Sequence, residues 1–328
     1  MASAAARVAT LARHEYRAAV RSRVLLALLV IVVITTTASV YVAAVDYASQ
    51  LADYRAYVAA ANANGIQQVA PSPLQLLSLL RGAMEYLEII GAIIGITLGY
   101  LSIARERSSG TLPLLASRPV SSTELAAGSA LGALALITTL VAVTAAVAVL
   151  SLGIIGNDWV SGEQALKLGL AYVASIVYLG TFYCLGAILT ARSRVAANGL
   201  MLALGIWLVV VLVLPQIGDT LDPDNQVPGG LFSALTLDKP QEDLVLSHFS
   251  TYETIRTNIE TASLAKHYER FAFAMTDVKE KYRGLTLGQL LHVKRSDIEW
   301  MLLYAFALGV ALVRSFRRQL VNPRGADS

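Results

Sequence analysis

The residues that could do chemistry in this chain are few, and their spacing serves none of the common catalytic plans. His14, His248, His267 and His292 lie far apart, and the single cysteine, Cys184, sits inside an apolar run. No two of them have metal-ligand spacing, and one cysteine allows no disulfide framework within the chain. No G-x-x-x-x-G-K-[ST] is present, so the chain does not bind ATP through a P-loop, and no H-E-x-x-H is present either. An intramembrane protease would need a Ser–His or Asp–Asp pair within an apolar segment, and none is there. What remains is a polar island, residues 104–123, between two long apolar runs. Arg105, Glu106 and Arg107 precede Gly110-Thr111-Leu112-Pro113-Leu114-Leu115, and Arg118 and Pro119 follow. Ser121 and Glu124 have the spacing of a capping box, which starts the next helix. A plain connection needs less structure than this. Its chemistry is that of a handle, with charges and leucines for another protein to grip.

The elements that position this island are apolar helices. The 328 residues are 55% hydrophobic and 15% charged, with a mean hydropathy of +0.58, whereas soluble domains carry about 25% charged residues. The deficit concentrates in runs near or above the ~20 residues that cross a bilayer. The fold class is therefore an all-α polytopic membrane protein with six transmembrane helices, predicted at residues 24–45, 88–103, 124–152, 166–189, 198–217 and 298–316. The arginine-rich start precedes an apolar run without a clean cleavage site, so that run reads as a retained first span.

Local patterns refine this layout. Arg13, Arg17 and Arg21 recur every four residues, which predicts an N-terminal interfacial helix with arginines toward lipid phosphates; a solvated basic tail is the alternative. Tyr47, Leu51, Tyr54 and Val58 share one helical face, so the first helix continues beyond the membrane until Asn62–Gly65. Pro71-Ser72-Pro73 restarts a helix, first as a membrane-skimming piece. Gly91, Gly95 and Gly99, and then Gly128 and Gly132, recur every four residues and form faces for close helix packing. Arg81, one turn before Glu85, reads as a surface ion pair. Residues 218–297 read as a helical extracytoplasmic domain between helices five and six, with Leu244, Phe249, Tyr252, Ile255, Ile259 and Ala262 as an imperfect apolar stripe. The organisation is thus 1–217 (interfacial helix and five spans), 218–297 (outer domain) and 298–328 (sixth span and tail).

Charge sets the orientation. Both termini, the 104–123 loop and the short loop with Arg192 and Arg194 share one arginine-rich face, which the positive-inside rule makes cytoplasmic. Residues 218–298 hold 12 acids against 9 bases. No ionisable residue falls near the midplane of a predicted span, which argues against an ion-coupled carrier.

The stretch from Arg105 to Ser121 resembles the cytoplasmic coupling segment of type-2 ABC exporter permeases. Glu106, Gly110, Thr111, Leu112, Leu114, Leu115, Pro119, Val120 and Ser121 match that pattern, and Ser122 and Ser129 depart from it. The six-span layout is similar too, most of all to the subgroup named for multicopper-enzyme or nitrous-oxide-reductase maturation. The resemblance implies a permease that is not itself an enzyme and holds no cofactor, with ATP and Mg in a separate ABC ATPase subunit. It implies that the ATPase grips Gly110–Ser117 as a short helix and that two permease copies or homologues pair. The coupling residues would be Arg105, Glu106, Gly110, Thr111, Leu112, Leu114, Leu115 and Pro119, with Arg192 and Arg194 beside them. It places the protein in the cell membrane with both termini cytoplasmic. The partners are the bilayer, the ATPase and the second permease, with an extracytoplasmic protein at 218–297 also admitted and no nucleic acid. Two other readings stay open: ATP-driven force transmission to an extracytoplasmic partner without solute transport, and a polytopic enzyme or scaffold.

Overall fold

The computed structural model describes residues 3–64, 76–108, 121–154, 159–221, 231–279, 282 and 284–321. Among these every regular element is helical. In order they are α1 (Ala4–Val20), α2 (Arg23–Ala63), α3 (Arg81–Tyr86), α4 (Ala92–Ser108), α5 (Ser122–Ile154), α6 (Gly162–Arg192), α7 (Ala196–Trp207), α8 (Leu214–Leu221), α9 (Leu231–Ala234), α10 (Lys239–His248), α11 (Ser250–Thr261), α12 (Leu264–Met275), α13 (Leu287–Val293) and α14 (Arg295–Val321). Six stretches are long and apolar enough to cross a membrane: Arg23–Ala63, Leu76–Arg107, Ser122–Ile154, Gly162–Arg192, Ala196–Gly218 and Arg295–Phe316. They are called spans one to six below.

Span one is 41 residues long, about 61 Å at the usual helical rise and about twice the hydrocarbon thickness. It stops at Asn64, whose side-chain amide donates to the Ala60 carbonyl at 2.9 Å. Span two is a continuous helical path. A 3₁₀ turn, Leu76–Leu80, leads into α3, a π turn at Leu87–Gly91 and then α4. The Pro71-Ser72-Pro73 restart lies outside the described residues.

Spans two and four form the buried centre, while spans one, five and six turn most of their surface outward. The centre closes because span two is smooth where span four meets it. A Cβ on Gly95 would meet the Leu179 carbonyl, and one on Gly99 would overlap the backbone of Tyr183 and Ala187. Span four answers with Gly186, whose own Cβ would meet the backbone of Ile96. Gly91 packs on the Leu179 side chain. Gly128 and Gly132 serve a different neighbour: they receive Leu11, Ala12 and Glu15 of α1.

Residues 218–297 do not stand apart from the spans. α11 and α12 form a hairpin beside span five, and α12 is buried among spans two, four and six. Its Leu264, Ala265, Tyr268, Phe271 and Met275 share one core with the spans. Tyr268 stacks on Tyr178 of span four with ring centroids 4.5 Å apart, and its hydroxyl shares a 2.8 Å hydrogen bond with Ser175. The apolar stripe read from Leu244 to Ala262 is not buried: Leu244, Phe249, Tyr252 and Ile255 are exposed. The buried set belongs to the next helix, where the period continues with stronger amphipathicity.

Candidate functional site

The polar island begins and ends within the described residues, but its middle does not. Gly110, Thr111, Leu112, Leu114, Leu115 and Pro119 lie outside them, so the geometry concerns the two roots of the loop and what holds them.

Both roots are held by α1. At the end of span two, Arg105 Nη2 donates to Glu15 of α1, and Arg105 Nε donates to the Leu101 carbonyl at 2.9 Å. At the start of span three, Glu124 accepts from Arg7 of α1. The Ser121–Glu124 capping box is present in both directions. The Ser121 amide donates to the Glu124 carboxylate at 3.0 Å, and the Glu124 amide donates to Ser121 Oγ at 3.2 Å. One carboxylate therefore closes the helix end and ties it to α1.

The sequence of α1 explains this placement. Leu11, Ala12, Glu15 and Ala19 face the bundle, while Arg13, Arg17 and Arg21 are exposed on the other side. Gly128 and Gly132 let α1 lie against span three at backbone distance, which brings Arg7 and Glu15 to the two roots. Burial pushes the Glu15 carboxyl above the usual carboxylate range, and Arg105 beside it pulls the other way. A buried carboxylate held by a guanidinium is a costly group to leave alone, so the pair fixes the register of α1 on span two.

A third tie leaves the island sideways. Arg107 donates from Nη1 to the Ser193 carbonyl and from Nη2 to the Ala191 carbonyl, both at 2.8 Å. These are last-turn carbonyls of span four, which a cation at a helix C-terminus satisfies. Arg107 thereby joins the island to the Arg192/Arg194 loop, with both of those arginines exposed on either side of Ser193. Glu106 lies between Arg105 and Arg107, near Glu15 and Arg105.

Sequence reasoning placed Arg105, Arg107 and Arg118 on the island without partners. It missed Arg7, Glu15 and the carbonyls of Ala191 and Ser193. The only signal for Glu15 was an acid on the inner side of an otherwise basic helix. A second omission lies across the membrane. The expected span at 88–103 put Glu88 at its outer end, but in the longer helical path Leu76–Arg107, Glu88 is buried near the middle, at the π turn and beside Tyr178 of span four. The α11–α12 hairpin brings in further charges, Glu253, Arg256, Glu260, Lys266 and Glu269. Reading the spans alone could not find charges carried in by a segment that enters and leaves on the same side.

The class that these features define is a polytopic helical membrane protein with a polar loop whose two roots are tied to α1. The chain belongs to the family described as ABC-2 family transporter proteins, whose pattern it matches over residues 9–315. No curated protein matches it. It is thus a membrane component of an ABC transporter and not itself a catalyst.

Proposed function

We propose that this chain is the permease subunit of an ATP-driven exporter and that a separate ATPase drives it through residues 104–123. The observation that supports this most is the double tie of α1, Arg105 to Glu15 and Arg7 to Glu124, with Arg107 extending it to span four. A loop that is only a connection has no use for three anchors. A loop that receives force does, because a push on Gly110–Leu115 then reaches spans two, three and four together. Leu112, Leu114 and Leu115 are the apolar anchors in the ATPase groove. Glu106 lies at the root beside Arg105 and Glu15, and Arg192 and Arg194 widen the contact. The positive-inside distribution puts this end in the cytoplasm, where ATP is. Two permease copies bring two ATPases together around ATP and Mg.

The test is purification of the tagged chain from its native membrane in mild detergent. An ATPase subunit with a P-loop co-purifies, and Leu114→Asp abolishes that without changing the elution or melting of the permease. An unaltered chain that brings down no ATPase sinks the proposal and favours a polytopic enzyme or scaffold.

A second reading is ATP-driven force transmission to a protein beyond the membrane. Leu244 on α10 and Phe249 just after it, exposed at 63% and 60%, support it. ATP-dependent solute movement in liposomes that hold only permease and ATPase decides for export. Likeness to the metalloenzyme-maturation subgroup extends the proposal to copper or sulfur cargo only through the shared layout. Among the described residues no three of His, Cys, Asp and Glu converge as a metal site.

A further inference from the structure

α2 is longer than a membrane is thick. Its 41 residues measure about 61 Å, and the hydrocarbon takes about 30 Å of that. Asp46 is the first charged residue after Arg23 and marks where the helix leaves the hydrocarbon. The remainder, from Asp46 to Ala63, stands as a stalk beyond the bilayer, at the end opposite the 104–123 loop. One side of the stalk rests on its own chain: Tyr47 is buried, and Leu51, Tyr54 and Val58 are half-buried.

The opposite side is a seam. Val42, Val45, Ser49, Ala52, Ala56 and Ala59 follow one another at intervals of three and four, and all six are exposed. This is heptad spacing, a period of about 3.5 residues. A straight helix has about 3.6 residues per turn, so the seam drifts by about 20° per heptad and keeps one side only if a second helix winds with it. Asp46, Gln50, Asp53 and Arg55 all lie off the seam. Small side chains at such a contact let two helix axes come close. Alanine also favours an isolated helix, but propensity selects no face and places no charges.

The charges point to the partner. Asp46 and Asp53 each directly follow a seam residue and lie along one shoulder, while Arg55 directly precedes a seam residue and lies on the other shoulder. Asp53 and Arg55 make no ion pair among the described residues. In coiled coils the charges on these shoulders set partner choice and orientation. A second copy of the chain in the same membrane stands parallel to the first. Two-fold symmetry then sets the acidic shoulder of each copy against the arginine shoulder of the other. Lipid tails cannot take this place, because the stalk lies beyond the hydrocarbon.

We propose that the seam from Val42 to Ala59 is where two copies of this chain meet, their stalks wound as a short parallel coiled coil on the two-fold axis, at the end away from the ATPases. It rests on the reading that two permeases pair and adds a surface at which they touch. Alanine and serine bury little apolar area, so the coil aligns the outer ends of a pair that other contacts help to hold.

Disulfide trapping tests this. Ala52→Cys, Ala56→Cys and Ala59→Cys are made separately in a Cys184→Ser background and oxidised in native membranes. Gln50→Cys and Tyr57→Cys, exposed but off the seam, are the controls. Equivalent seam positions of a parallel coil face each other across the axis, near the Cα separation of about 4.4–6.8 Å that a disulfide bridges. Covalent dimer, read on a non-reducing gel, should therefore form at least ~10-fold faster at the seam positions than at the two controls. If one seam variant misfolds, the other two read the same face. Equal rates at seam and control positions overturn the proposal, and so does a cross-link to another protein in place of the second copy. Co-purification of two differently tagged copies separates the two readings. Seam cysteines that stay monomeric while the tagged copies co-purify overturn the seam alone. Seam cysteines that stay monomeric in copies that do not co-purify overturn the pairing of permeases as well.

Discussion

The two ends of the bundle are built from different bonds. At the loop end the joints are charge-assisted and reach far along the sequence: Glu15 to Arg105, Arg7 to Glu124, and Arg107 to two carbonyls of span four. At the hairpin end the ionic bonds inside the hairpin stay within one helix, Arg256 with Glu253 and Glu260 and Lys266 with Glu269, and those that join elements lie toward the rim. Lys167 meets Asp277 at 3.5 Å, and Asp297 meets Lys294 at 3.2 Å and His267 at 2.9 Å. Deeper, the joints are single hydroxyls on carbonyls next to π turns. Tyr178 donates to Glu88 at 3.0 Å and Ser263 donates to Val210. Charge-assisted bonds are about twice as strong as neutral ones, and a neutral hydrogen bond is worth about 1 kcal/mol net. On the proposed coupling, the loop end would move as one body, and the neutral joints deep in the hairpin end would be the ones that yield.

A rigid link must join the two ends if a push at one is to open the other. That link is the glycine contact between spans two and four, and breaking it has the largest expected effect. Gly99→Leu would drive a side chain into the backbone of Tyr183 and Ala187, which cannot step aside. The cost exceeds about 3 kcal/mol, seen as loss of the monodisperse folded species in detergent. Gly169→Leu on span four is the control, because a Cβ there meets nothing within 4 Å. If the two variants melt alike, the link is not rigid and the comparison of the ends loses its mechanical meaning.

The next largest effect tests the loop end. Arg105→Ala strands the buried Glu15 carboxylate and costs about 2–3 kcal/mol, discounted because the Arg105 side chain is 31% exposed. The Glu15→Gln/Arg105→Gln double variant should lose less than the sum of the single changes. Additive losses in a double-mutant cycle would show that α1 does not hold the root of the loop through this pair.

How much of this was legible in the sequence depends on separation along the chain. The six spans follow from local hydropathy, and the Ser121–Glu124 box follows from a spacing of three. The Arg81–Glu85 pair is a local pattern too, seen at 2.8 Å. The α1 clamps join residues 90 and 117 positions apart, and no period encodes them. The glycine stripes showed that something packs closely, but not that Gly128 and Gly132 receive α1 while Gly91, Gly95 and Gly99 receive span four. The hairpin was hidden for another reason. Lys266, Glu269 and Arg270 make α12 look solvated; Lys266 and Glu269 pair locally at 3.1 Å, and only the tertiary fold buries them and Tyr268 among the spans. Pro215 was the overlooked local signal, since it alone forces a π turn and frees a carbonyl that another segment must satisfy.

The hairpin joints give a smaller effect. Ser263→Ala removes the donor to Val210 and the cap of α12 together, costing about 1–3 kcal/mol. Tyr268→Phe keeps the stack on Tyr178 and loses only the bond to Ser175, about 1 kcal/mol. Both losses should be read by thermal unfolding and should fall below that of Arg105→Ala. If Tyr268→Phe costs as much as Arg105→Ala, the two ends do not differ in the way their bonds suggest.

The smallest effect separates charge from burial as the source of the difference. Arg81 and Glu85 form an ion pair as short as many others in the chain, but their side chains are 63% and 41% exposed. Water screens such a pair, and holding two long side chains costs entropy, so Arg81→Ala should change stability by no more than about 0.5 kcal/mol. Arg81 also lies 5.6 Å from the Phe273 ring of α12, an exposed cation–π contact that keeps the value from zero. The melting shift of Arg81→Ala should therefore be several times smaller than that of Arg105→Ala. Equal shifts would mean that an ion pair stiffens either end regardless of burial. The stiffness of the loop end would then come from the number of its pairs and not from their shelter beneath α1.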